Sequence, residues 1–126
     1  MNYFIYLQKA GLVHMLLADQ KGMNSMNKPE KLYLDNTNLI YALAPENFNV
    51  GNVRETFFNN QLSLKHHISG AKKGDFFIDE TYTFEVGGMN KTFKQIKELP
   101  HSYIAKDDLE TGFGNTIPLW LFGMLY

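Results

Sequence analysis

Asp75 and Glu85 are the residues whose types and spacing could most directly do chemistry in this 126-residue chain. They bracket Asp75-Phe76-Phe77-Ile78 and Tyr82-Thr83-Phe84-Glu85-Val86-Gly87-Gly88, which read as two strands joined at Asp79-Glu80-Thr81. In a strand, residues two apart share a face. A three-residue loop sets Ile78 opposite Tyr82, Phe76 opposite Phe84 and Asp75 opposite Glu85. Phe76, Ile78, Tyr82, Phe84 and Val86 then make a core face. Asp75, Phe77, Thr83 and Glu85 make the other, wet one. A slip by one residue would mix the two sets, so the apolar pattern selects the register. Carboxylates paired across strands repel unless a cation lies between them. A lysine, an arginine or a divalent metal would serve. With an unrelieved pair, Asp75→Ala should leave stability unchanged or raise it slightly.

Composition bounds what can surround such a pair. Hydrophobic residues make up 44% of the chain, with ten Phe and seven Tyr, enough for a core without covalent staples. The length suits about one domain. Cysteine is absent, which removes disulfides and thiolate metal sites and fits a reducing compartment. A net charge of -1 argues against wholesale electrostatic binding of nucleic acid. No stretch approaches the roughly 20 apolar residues that span a bilayer, and the first residues lack a basic segment of the signal-peptide kind. The expectation is a cytoplasmic protein with no membrane association.

Several elements must position the pair. Tyr3, Tyr6, Leu7 and Ala10 fall on one helical face, which Gly11 ends. Leu12 to Leu17 reads as a buried strand, Ala18 to Pro29 as a polar loop and Lys31 to Leu34 as a short strand. Asp35 to Asn38 offer N-caps, Asp35 foremost, to a helix running to about Leu43, ahead of Pro45. Gly51-Asn52 opens a helix of about fourteen residues, with Val53, Phe57, Leu62 and Leu64 among its apolar positions. A strand at His66 to Ser69 and the basic turn Gly70-Ala71-Lys72-Lys73-Gly74 lead into the hairpin. Phe93, Ile96 and Leu99 suggest a second helix over Thr92 to Leu99, ended by Pro100. Ser102 to Ala105 is a further strand, and the apolar tail from Ile117 to Tyr126 reads mainly as core, with Pro118 in the first turn of a short helix. The class is α/β (α+β), with helices on a small sheet.

The order helix–strand–strand–strand–helix–strand, with Asp on the second strand and Glu on the third, resembles the restriction-endonuclease-like fold and its PD-(D/E)XK motif. A closer resemblance lies in Leu32-Tyr33-Leu34-Asp35-Asn36-Thr37-Asn38-Leu39, Gly51-Asn52-Val53-Arg54-Glu55-Thr56-Phe57-Phe58, Gly74-Asp75-Phe76 and Phe84-Glu85-Val86-Gly87-Gly88-Met89-Asn90-Lys91. These look like the C-terminal domain, itself of unknown function, of bacterial and archaeal AAA-type ATPases. Tyr6 to Val13 resembles the seam that follows the winged-helix segment of those ATPases. The resemblance implies a seam and loop over 1–30, then a restriction-endonuclease-like domain over 31–126. It also implies the ATPase domains of a parent chain, or another protein, as partner. The G-x-x-x-x-G-K-[ST] phosphate loop is absent from these 126 residues, so no ATP site of that kind is expected in them.

Carried across residue by residue, the nuclease motif makes Asp75 and Glu85 the metal-binding acids, with Mg2+ as the suited ion. Glu55 matches a further acid of some members. The motif's lysine falls on Gly87, and Lys91 is the residue that could migrate into its role. The resemblance therefore implies either a vestigial, non-catalytic module or a Mg2+-dependent nuclease using Glu55, Asp75, Glu85 and Lys91. Lys72, Lys73, Lys91, Lys94 and Lys97 could also form a basic patch for nucleic acid. His66 and His67 are adjacent in an expected strand and point apart, which disfavours a shared metal. Arg54 reads first as an exposed helical charge, with Glu55 or a phosphate as its alternative partner.

Overall fold

The computed structural model describes residues 3–18 and 29–125. Its elements, in order, are α1 (Tyr3–Lys9), β1 (Val13–Leu16), β2 (Lys31–Leu34), α2 (Thr37–Leu43), α3 (Val50–Ser63), β3 (Ile68–Gly70), β4 (Phe76–Ile78), β5 (Tyr82–Gly87), β6 (Ser102–Lys106) and β7 (Thr116–Pro118). Five strands form a mixed sheet in the order β3-β4-β5-β6-β7. The first two pairings are antiparallel and the last two parallel. β1 and β2 make a separate antiparallel ribbon, which joins residues on either side of position 30. The ribbon reaches the β3 edge of the sheet where Gly70 N–H donates to Leu17 O at 2.7 Å. The fold class is mixed α/β, as the residue patterns indicate.

The hairpin adopts the register that its apolar pattern selects: Phe76 pairs with Phe84, Phe77 with Thr83 and Ile78 with Tyr82. Asp79 and Glu80 both take positive φ in the loop, and Thr81 N–H closes it on Ile78 O. The Asp79 carboxylate ties the loop to the preceding segment, accepting from His67 N–H at 2.8 Å and meeting His66 Nδ1 at 2.7 Å. Phe76, Ile78, Phe84 and Val86 are buried against α3 and the C-terminal segment, whereas Tyr82, at the strand's open end, is half-exposed. Phe58 from α3 is the hub. Its ring centroid lies 5.0 Å from that of Phe76, 5.1 Å from Phe84 and 4.9 Å from Phe122, and it is fully buried. Rings at these separations add attraction beyond the area they bury.

Several expectations are corrected. The second hairpin face is not wet, because Thr83 and Glu85 are buried beneath the chain that follows β5, where Ile96 is fully buried. No α-helix spans Thr92 to Leu99. The chain there makes a 3-10 turn at Phe93–Gln95, continued by Leu99 N–H donating to Ile96 O. A strict spacing of three, with no partner at i+4, is the 3-10 period, in which residues three apart eclipse. Thr92 adds no side-chain cap to favour a longer helix. In α3 Phe58 and Leu62 enter the core, Phe57 packs half-buried against it, and Leu64 at the helix end is exposed. Asn36, not Asp35, caps α2 by accepting from Leu39 N–H, while Asp35 meets His14 Nε2 at 2.8 Å. The strand expected from His66 begins at Ile68. A strand not foreseen, β7, adds to the parallel edge, and Pro118 starts a 3-10 helix over Leu119–Met124. Of the polar loop expected over Ala18 to Pro29, positions 19–28 lie outside the described residues.

Candidate functional site

The C-terminal half of β5 and the residue preceding β4 bring the two acids together. Asp75 N–H donates to Phe84 O at 2.9 Å, and the Asp75 carboxylate accepts from Val86 N–H at 2.9 Å. Asp75 is thereby fixed by the backbone of the strand that carries Glu85. Both acids meet one cation. Lys91 Nζ lies 2.9 Å from Glu85 Oε2 and 3.5 Å from Asp75 Oδ2.

Gly87 explains how Lys91 arrives there. A Cβ built on Gly87 would stand 2.8 Å from Cβ, Cγ and Cδ of Lys91. The lysine stem occupies the volume that a side chain at position 87 would fill. The turn from Gly88 to Lys91, closed by Lys91 N–H donating to Gly88 O, folds the stem back over the strand end. Gly88 serves Arg54 in the same manner, since a Cβ there would be 2.9 Å from a guanidinium nitrogen. Arg54 in turn spans from α3 to the end of β6, with Nε 2.8 Å from Asp107 Oδ2 and a longer 3.5 Å contact to Asp108. It pairs with these aspartates rather than with Glu55.

Glu55 joins the centre through a second cation that residue patterns alone did not single out. Lys31 Nζ stands 3.2 Å from Glu55 Oε2 and 3.3 Å from Asp75 Oδ1, and 5.8 Å above the centroid of the Phe76 ring. Tyr33, two residues on and hence on the same strand face, donates its hydroxyl to the same Glu55 oxygen. The signal was present as alternation in Lys31-Leu32-Tyr33, but the contacts it makes are 24 and 44 residues distant in sequence. Glu55, Asp75, Glu85 and Lys91 therefore belong to one continuous network, with Lys31 and Tyr33 added.

Three carboxylates and two ammonium groups leave this network one negative charge when all are ionised. Burial of Lys91 works against its charge, but its hydrogen bond to Glu85 and the charges of Asp75 and Glu85 outweigh that and hold its pKa above the ordinary lysine value. Tyr33 is pushed well above the ordinary tyrosine range, first by burial and then by its hydrogen bond to Glu55, and remains a neutral donor. Glu85 is only 1% exposed, and its Oε1 has no hydrogen-bond partner among the described residues.

A divalent cation does not fit this arrangement as it stands. Asp75 has both oxygens committed to ammonium or amide groups, and Glu85 Oε2 is held by Lys91. Glu85 Oε1 is uncommitted but buried, the contacts of Glu55 all fall on its Oε2, and among the described residues no three His, Cys, Asp or Glu side chains are grouped to hold a metal ion. An open cleft of about 530 Å³, lined by Arg54, Gly88, Met89, Asn90, Lys91 and Asp108, adjoins the centre.

The other candidates lie apart. His66 meets Asp79 through its ring, whereas His67 meets it through its backbone, so the two imidazoles share no ligand position. Lys72, Lys73 and Lys97 are exposed on loops and Lys94 on the 3-10 turn, while Lys91 is drawn into the acids. Among the described residues no helix is long and apolar enough to cross a membrane. Comparison with protein-family models, with curated proteins and with solved structures finds no match to this chain.

Proposed function

We propose that this chain is a non-catalytic interaction or regulatory module with a nuclease-like acid centre, of the kind its residues resemble at the C-terminus of AAA-type ATPases. One observation carries the reading: the ammonium of Lys91 closes the Asp75–Glu85 pair from above Gly87. Opposite charges in such contact offset the repulsion and the desolvation that the pair would otherwise suffer. The centre then ties α3, β4, β5 and the ribbon together without turnover. The interaction role is supported by α1, a helix of sequence Tyr-Phe-Ile-Tyr-Leu-Gln-Lys with no buried residue. Contiguous exposed apolar surface of this kind marks interaction sites. In the resemblance α1 overlaps the seam that follows the winged-helix segment.

A second reading, a Mg2+-dependent nuclease, is favoured by the same lysine. Lys91 returns to the acid pair the cation that Gly87 lacks, which is the electrostatic group such chemistry uses. It requires Lys91 to leave Asp75 free. The two readings separate in one experiment. Purified chain is incubated with single- and double-stranded DNA and with RNA, in Mg2+ and in Mn2+, and its melting temperature is followed in each metal. The module cuts nothing, and its melting temperature does not rise with either metal. Metal-dependent cleavage that is lost in Asp75→Ala and Glu85→Ala would overturn it. Hydrogen exchange tests the interaction half. The ATPase and winged-helix portion of such an ATPase, added in trans, should slow exchange in α1; unchanged exchange counts against the role.

A further inference from the structure

The lysines that the acid centre does not use frame a second feature of the molecule. On the sheet face that carries Thr83, a pocket of about 270 Å³ opens between the turn before β4 and the chain before β6. Ala71, Phe77, Thr83 and Leu99 form its walls, and Lys72 and Lys73 stand at its rim. Phe77 and Thr83 are a directly paired couple of β4 and β5, so the floor is rigid sheet. Gly74 holds the turn at φ +95° and lets it lie close, since a Cβ there would be 3.0 Å from Thr83 and 3.2 Å from Ile96. Neither rim lysine forms an ion pair among the described residues.

We propose that this pocket receives one aromatic or branched aliphatic side chain of an acidic peptide segment, whose carboxylates meet Lys72 and Lys73. Size and charge both point to that occupant. Sites for whole small molecules run to about 300–1,000 Å³, so this pocket suits a single anchoring side chain of the kind that dominates interface energetics. Its apolar walls reward burial of that side chain, and two rim ammonium groups with no ion pair among the described residues select a negatively charged flank. The contact lies outside the Lys91 network, and it stands or falls independently of whether the acid centre is catalytic.

The test uses the full chain and a fluorescein-labelled peptide Glu-Asp-Phe-Asp-Glu, followed by polarisation. Saturable binding is expected, weakening with added salt as exposed charge pairs do. Replacing the peptide's Phe by Ala should weaken it by roughly tenfold or more, as loss of a buried aromatic group implies. The double variant Lys72→Glu/Lys73→Glu changes only exposed side chains and should keep the melting temperature while abolishing binding. Equal binding of the Phe and Ala peptides, or of wild type and the double variant, would sink the pocket. So would no binding at all, or a labelled oligonucleotide that binds more tightly than the peptide and is displaced by the same lysine changes. That last result would assign the rim to nucleic acid.

Discussion

α1 and α3 invert each other. α1 is almost wholly apolar and aromatic, yet it buries no residue. α3 is mostly polar, yet it buries Thr56 and Asn59 alongside Phe58 and Leu62. Composition therefore does not decide burial in this chain; position against the sheet does. α3 lies over the hairpin, where ring contacts hold Phe58 and where the polar groups beside it are carried inside with it. Among the described residues α1 packs on β1 of the ribbon, through contacts such as Met15 N–H donating to the Gln8 side chain at 2.9 Å. One region encloses polar groups, and Thr56 Oγ1 and Asn59 Nδ2 find no hydrogen-bond partner there among the described residues. The other leaves apolar groups uncovered.

The sharpest way to break this contrast is to truncate both helices. Phe58→Ala should destabilise the chain by about 4 kcal/mol, because it removes a fully buried ring and leaves a cavity among three others. Ile5→Ala in α1 should change stability by no more than about 0.5 kcal/mol. Chemical denaturation of the two variants checks this, and comparable losses would show that α1 is as integral to the fold as α3.

The enclosed charges come next. Lys91→Met leaves Glu85 buried without its cation and should cost about 3 kcal/mol at neutral pH. The pH dependence has a definite sign. A lysine whose folded pKa is raised contributes stability that is fully present below its unfolded pKa, about 10.4, and lost as pH rises through the folded value. The gap between wild type and Lys91→Met should therefore hold from neutral pH to about pH 10 and narrow beyond it. Urea titrations across that range would contradict the ion-pair account if the gap widened in alkali.

The smaller loss within the acid centre concerns Asp75. Two carboxylates read in isolation suggest that Asp75→Ala would be harmless or slightly stabilising. The structure reverses the sign, since the substitution strips a partner from Lys31, Lys91 and Val86 N–H together. A loss of about 1–2 kcal/mol is expected from the orphaned donors. An unchanged or raised melting temperature would restore the repulsive reading.

What could be read from the residues was what local chemistry fixes. The hairpin register follows from alternation and a three-residue loop, and both are local. Lys91 is reached through the resemblance to the nuclease motif, whose lysine falls on Gly87 four residues before it, and its ammonium does stand against both acids. The remainder depends on chain folded from elsewhere. Lys31 and Tyr33 enter the centre from a ribbon whose sequence distance hides them, and Phe58 becomes the buried hub because rings of β4, β5 and the C-terminal segment surround it. The segment from Thr92 to Leu99 differs for a subtler reason: three apolar residues at intervals of three fit two helical periods, and no apolar residue at i+4 selects the α-helical one.

Gly87 and Lys91 share a single volume. A lysine added at position 87 would collide with the stem of Lys91, and loss of Lys91 alone would leave a void above the strand. Only the reciprocal exchange, Gly87→Lys with Lys91→Gly, conserves both the space and the charge. The two positions thus behave as one site with two addresses, and the cation can change its place in the chain without changing its place in the molecule.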